Sequence, residues 1–157
     1  MIEIRMLEAD EWQLWRDLRL RSLADAPDAF GSTLEREQAF VEADWRDRLQ
    51  SMPVMGFLDG RPASLGGGYR IRPGWVQVVA MWTDPAHRGR GLAGQVLERI
   101  VAAAGDEHRR VVLDVERRNT GARALYERFG FVATGNSSPL REGSSLVVDE
   151  LVLPARR

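Results

Sequence analysis

The stretch WVQVVAMWTDPAHRGRGLAG, residues 75–94, leaves this chain few ways to fold. Its apolar first half has the length and composition of a strand, and Asp84-Pro85 turns the chain at its end. A glycine-rich loop carrying Arg88 and Arg90 follows and opens directly into a helical apolar stripe. A strand must therefore deliver several backbone N–H groups and a helix N-terminus to one point. That is how proteins hold a phosphate or pyrophosphate. The two arginines add fixed positive charge where the anion belongs.

Composition narrows what can be done with such a ligand. The 157 residues suffice for one domain, 1–157, with a real core. Cysteine is absent, which removes disulfides, thiolate zinc sites and a cysteine nucleophile together. The only histidines, His87 and His108, do not make a multi-histidine metal site, so no metal is expected. All 22 basic residues are arginine; no Schiff-base or P-loop lysine exists. A net charge of −1 leaves no electrostatic footprint for nucleic acid or an anionic membrane. No apolar run reaches the roughly 20 residues of a membrane span. The acidic start, MIEIRMLEADEW, does not read as a secretory signal. A cytoplasmic protein is the expectation.

Along the chain, residues 2–6 alternate as a half-buried strand. A helix follows from Ala9 or Asp10 to about Ala24, with Trp12, Leu14, Trp15, Leu18 and Leu23 on one face and Leu20 off it. Asp25-Ala26-Pro27-Asp28 breaks it. Ser32 or Thr33 caps a second helix, Glu35 completing a capping box with Ser32, and this helix is expected to reach Ser51 with Phe40, Val41 and Trp45 inward. Asp59-Gly60 joins strands 54–58 and 63–69 as a hairpin, and Gly66-Gly67-Gly68 signals a bulge. The remainder reads as strand 75–83, a helix ending near Gly105, strand 111–115, helix 120–129 closed by Gly130, strand 131–134, a polar loop 135–143 and strand 145–153. The order is β-α-α-β-β-β-α-β-α-β-β, an α/β (α+β) fold with a mixed sheet.

Gly89-Arg90-Gly91-Leu92-Ala93-Gly94 spells the dinucleotide fingerprint G-x-G-x-x-G, and Asp114 lies twenty residues beyond Gly94. Five residues separate the preceding strand from Gly89, however, and only 43 residues remain after Asp114, too few for the second half of a doubly wound domain. Read instead as Arg88-x-x-Gly91-x-Ala93 after Thr83-Asp84-Pro85, the stretch resembles the signature of the GNAT superfamily of acetyl-CoA-dependent N-acetyltransferases. A distant segment agrees. Asn119, Ala122, Tyr126, Gly130 and Phe131 are similar to the family's N-x-x-A-x-x-x-Y-x-x-x-G-F pattern.

The resemblance implies a fold whose central strands splay around the cofactor. It implies that Arg88, Gly89, Arg90, Gly91, Leu92, Ala93 and Gly94 hold the CoA pyrophosphate, that Met81, Trp82 and Thr83 hold the pantetheine arm, and that Asn119 bonds to the cofactor as well as capping its helix. A main-chain N–H near Met81 would polarise the acetyl carbonyl. Tyr126 becomes the candidate general acid, although its face, shared with Leu125 and Phe129, also suits a plain core aromatic. Gln77 stands near the place where some relatives carry a basic glutamate and cannot take up a proton. Deprotonation is then left to a water wire or to an acid elsewhere: Glu35, Glu37, Asp114 or Glu116. Residues 26–37, the hairpin near residues 66–68 and the loop 135–143 are expected to choose the acceptor, with Phe30 as pocket wall or core, and Arg141 and Glu142 facing a charged substrate or solvent. The expectation is acetyl transfer to a primary amine, of a small molecule rather than a protein, by direct attack in a ternary complex. A non-catalytic acyl-CoA sensor and a protein N-acetyltransferase are the rivals, and a homodimer is expected by analogy.

Overall fold

The computed structural model describes residues 1–155. Seven strands form one sheet: β1 (Ile2–Met6), β2 (Val54–Leu58), β3 (Arg61–Arg72), β4 (Trp75–Thr83), β5 (Arg110–Glu116), β6 (Val132–Pro139) and β7 (Val147–Leu153). They lie in the order β1-β2-β3-β4-β5-β7-β6. Every neighbouring pair is antiparallel except β4 and β5. The one parallel junction is crossed by a helix, as parallel strands require. Among the described residues, no helix is long and apolar enough to cross a membrane.

Five helices cover the two faces: α1 (Trp12–Asp25), α2 (Leu34–Gln38), α3 (Glu42–Arg48), α4 (Leu92–Asp106) and α5 (Thr120–Phe129). α4 packs Leu92, Val96, Leu97, Ile100 and Ala104 beneath the sheet, and α5 adds Tyr126 to the same core. On the other face α1 and α3 bring Trp12, Trp15 and Trp45 against Met55, Leu65 and Trp82.

Two expectations need correction. The second helix does not run from residue 33 to Ser51. Thr33 caps a short α2 by accepting from the Arg36 N–H, so Ser32 and Glu35 form no capping box. The chain then leaves helical geometry at Val41, which is extended and 64% exposed rather than inward. Asp44 accepts the Val41 N–H and starts α3 afresh. A local side-chain acceptor has competed with the continuing helix and won. The loop after β6 is also shorter than its polar composition suggested. Residues 137–139 pair with β7, and the connection spans only residues 140–146. β6 is an exposed edge strand, where polar side chains face water at no cost.

The bulge expected at the three glycines is present where β3 meets β4. Leu65 pairs with Trp82 and Gly67 with Val79, so Ala80 and Met81 stand opposite Gly66 alone. Ala80 takes a left-handed φ of 62°. This reverses the pleat: Val76 and Val78 face α4, Met81 joins them, and Ala80 and Trp82 face α1. A Cβ at Gly66 would collide with the Met81 sulfur and approach Val96 to 2.9 Å. Only glycine lets the bulge and α4 close on that point.

Candidate active site

The bulge has a second consequence. β4 and β5 pair from Trp75↔Arg110 to Val78↔Leu113 and part beyond it. The gap opens on a cavity of about 610 Å³. Val79, Ala80 and Met81 line it from β4, Asp114 and Glu116 from β5, Asn119 from the N-cap of α5 and Tyr126 from α5 itself. The opposite wall comes from α1, α2 and the loop between them, with Arg19, Phe30 and Glu37. The volume suits small-molecule chemistry.

Tyr126 is buried at 7% exposure, and its ring meets Phe131 edge-on at 6.0 Å. Its hydroxyl makes no hydrogen bond to any described residue. Burial pushes the phenol well above its usual pKa, so it stays protonated. The arrangement supplies a neutral O–H donor at the cavity with nothing in the protein to receive it. The ring packs as a core aromatic, and the hydroxyl has no hydrogen-bond partner among the described residues.

Gln77 also lines the cavity. Its Nε2 donates to Asp114 Oδ2 at 3.3 Å, so the carboxylate missing from position 77 stands on the next strand, bonded to it. Although Asp114 opens to solvent at the cavity mouth, the protein crowding it pushes its carboxyl up; the charge of Glu150 adds to this and the Gln77 hydrogen bond opposes it. The other acids differ. Burial alone would raise Glu116, but its hydrogen bonds to Arg118, one of them 2.7 Å from Nε, outweigh it and hold the carboxyl below the usual range. Glu37 is likewise opposed by burial and lowered overall by Arg19, Ser32 and Arg48. Glu35 is exposed on α2, outside the cavity lining.

The anion cradle forms at the far end of β4. Gly91 holds φ of 80° at the α4 N-cap, and no side chain caps the helix, so its first N–H groups lack intrahelical partners. Gly89, also left-handed at 81°, keeps the loop open. Leu92 anchors the helix in the core while Ala93 and Gly94 stay small at its start. Gly94 faces Leu125 of α5, a Cβ there lying 3.9 Å from Cδ1. Arg90 makes no ion pair with a described residue; Arg88 reaches the Thr83 carbonyl at 3.1 Å and Asp25 at 3.5 Å. Left-handed glycines, an uncapped helix and free guanidinium positions fit a pyrophosphate.

Met81, Gln77, Asn119, Tyr126 and Phe30 thus meet at one cavity. Residues 88–94 lie outside its lining. Trp82 and Thr83 also lie outside the lining, with the indole donating to Asp25 at 2.9 Å and the hydroxyl meeting Ser64 at 2.9 Å. Asn119 accepts the Ala122 N–H at 3.3 Å as a helix cap. Arg141 is engaged within the protein. It donates to the carbonyls of Pro27 and Phe30 at 2.8 Å and of Gly31 at 3.4 Å, clamping the loop that carries Phe30. His87 lies outside the cavity lining, its Nδ1 buried without a partner.

Sequence reasoning missed the Arg19–Glu37 pair, bonded through Nε and Nη2 at 3.0 Å each and almost fully buried. The signal was present. Arg19 sits four residues after Trp15 and four before Leu23, in the middle of the apolar stripe.

Residues 12–131 match the acetyltransferase (GNAT) family model. The chain belongs to the GNAT family. Mycothiol acetyltransferase of Beutenbergia cavernae is 33% identical over 129 residues, 79% of this chain but 42% of that relative, so the chain spans less than half its length. Two solved structures from Salmonella typhimurium share the GNAT fold. The yncA structure, solved with its cofactor acetyl-CoA, is 17% identical with TM-score 0.78, covering 100% of this chain and 96% of that one. An acetyl transferase that modifies the N-terminal serine of ribosomal protein L7/L12 is 16% identical with TM-score 0.74, covering 99% and 95%.

Proposed function

We propose that residues 1–157 act as one acetyltransferase domain that moves the acetyl group of acetyl-CoA to a primary amine of a small molecule, by direct attack in a ternary complex. The observation that carries this is the parting of β4 and β5 after Val78, with the unpartnered Tyr126 hydroxyl at the gap. When bound, acetyl-CoA supplies a thioester already activated toward amines. Backbone N–H groups at the start of α4 receive its phosphates, with Arg88 and Arg90 adding charge. Main chain at Met81, Trp82 and Thr83, with Asn119 across the gap, guides the pantetheine arm. A Met81 N–H donates to the acetyl oxygen.

Asp114 takes the proton from the acceptor's ammonium group. Its raised pKa brings it nearer to the amine's than an ordinary carboxylate comes. Tyr126 gives its proton to the departing thiolate, and the second proton shed by the attacking nitrogen as the amide forms restores the phenol by way of solvent. Phe30 walls the acceptor side, and Gln77 holds Asp114 in place. The cavity of about 610 Å³, in the range of small-molecule sites, favours a small acceptor over a protein.

Release of free thiol from acetyl-CoA over a panel of amines tests the reading, with its pH dependence as the sharper arm. Asp114 must be ionised to act, so kcat/KM falls as pH drops through its raised pKa. Asp114→Asn removes that acidic limb and lowers kcat by about 10²–10⁴-fold. An unchanged limb in the variant excludes Asp114 as the base. Acetyl-CoA binding without thiol release on any amine points to the sensor instead.

A further inference from the structure

We infer that the acceptor amine also carries a carboxylate, as an amino acid does, and that Arg48, with Arg19 behind it, receives that group. The proposal rests on the transferase reading above and assigns the substrate class of the same cavity.

The two walls of the cavity differ in sign. The strand wall holds Asp114, bonded only to Gln77, and Glu116, bonded to Arg118. The helix wall holds Arg19, Arg36 and Arg48 against Glu37 and Asp47. Glu37 is spent: both of its oxygens accept from Arg19. Asp47 is exposed on α3. Arg36 is exposed and reaches the Ser32 hydroxyl at 3.2 Å. Arg48 is half-buried, its charge acts on Glu37 from a distance, and it forms no salt bridge with a described residue; its guanidinium lies 4.9 Å over the Phe40 ring. Arg19 is the second, independent sign. Its side chain is 9% exposed and stacks 4.6 Å over Phe30, yet Nη1 is buried with no hydrogen-bond partner. A buried charged donor without an acceptor is held at a cost. Two guanidinium groups with donors to spare, on one partly enclosed wall, match a planar anionic group with two oxygens. With the carboxylate on that wall, the amine of the same small molecule turns toward Asp114 and the gap. A polyamine or an uncharged amine leaves both arginines unmet and is disfavoured.

Matched pairs test this: L-amino acids against their C-terminal carboxamides, with acetyl-CoA as donor and thiol release as readout. The acids are favoured in kcat/KM by about 10- to 100-fold, the range of a hydrogen bond to a charged group. Arg48→Gln shrinks that ratio at least fivefold, on the order of one such bond, chiefly through KM. Arg19 is left intact because its loss strands Glu37. Calorimetry of the same acids and amides in the presence of CoA reads the preference independently of turnover. Acids that bind while their amides do not support the inference even without acetyl transfer. Amides or polyamines acetylated as well as the acids, or no acid bound at all, overturn it. Absence of both CoA binding and thiol release defeats the transferase reading instead.

Discussion

The two faces of the sheet hold their share of the site by different means. On the α4–α5 face the buried core is aliphatic and aromatic apart from the Tyr126 hydroxyl, and the donors proposed for the cofactor are main-chain groups set by glycine geometry at Gly89 and Gly91. On the α1–α3 face the core is rich in tryptophan and contains a buried ion pair, Arg19–Glu37, with Ser22 bonded to the Arg19 carbonyl. That face is also stitched from a distance: Arg141 clamps residues 27–31, and Asp25 holds Trp82. A cofactor handle common to a family can rest on backbone and shape. A pocket that selects one acceptor needs charge, and buried charge needs partners.

Breaking the ion pair should have the largest effect on stability. Glu37→Gln leaves Arg19 buried and uncompensated, a loss of about 3–5 kcal/mol, visible as a lower midpoint in urea. A double replacement, Arg19→Met with Glu37→Leu, should recover most of it while losing acceptor binding. The pH dependence has a definite sign. Arg19 holds Glu37 below the ordinary carboxylate range, so the pair's stabilisation is present at neutral pH and lost as pH falls through the folded-state pKa. A Glu37→Gln variant that melts like the parent at neutral pH would erase the contrast between the faces.

Gly66→Ala probes the other face with a smaller change. The new methyl meets Met81, Val96 and Ile100 (the last at 3.0 Å), and overpacking of this kind costs about 1–3 kcal/mol. The shift falls on Met81 at the bulge, so KM for acetyl-CoA should rise more than KM for the acceptor. An equal rise in both would mean that the bulge does not divide donor from acceptor.

Legibility in the sequence divides along the same line. Residues 88–94 and 119–131 could be read because backbone geometry demands particular residues at fixed short spacings: glycine where φ is positive, a cap at Asn119, a glycine stop at Gly130. The Asp59-Gly60 turn was readable for the same reason. The acceptor wall is assembled from residues far apart in the chain. Glu37 lies 18 residues from Arg19, beyond the break after α1, and Arg141 lies 111 residues from the Phe30 carbonyl it clamps. The break at Val41 was hidden because Asp44 reads equally well as an ordinary helical residue. The place of Asp114 beside Gln77 depends on parallel pairing of β4 with β5, which no local pattern encodes.

The central claim is that the Tyr126 hydroxyl, free at the gap between β4 and β5, acts on the leaving thiolate. Tyr126→Phe deletes that one oxygen and keeps the ring against Phe131. Steady-state thiol release, with acetyl-CoA affinity measured on the same preparation, decides the matter. The account predicts a fall in kcat of about 10²–10⁴-fold with acetyl-CoA binding nearly unchanged. Full turnover in the variant would contradict it and leave Tyr126 as a core aromatic only.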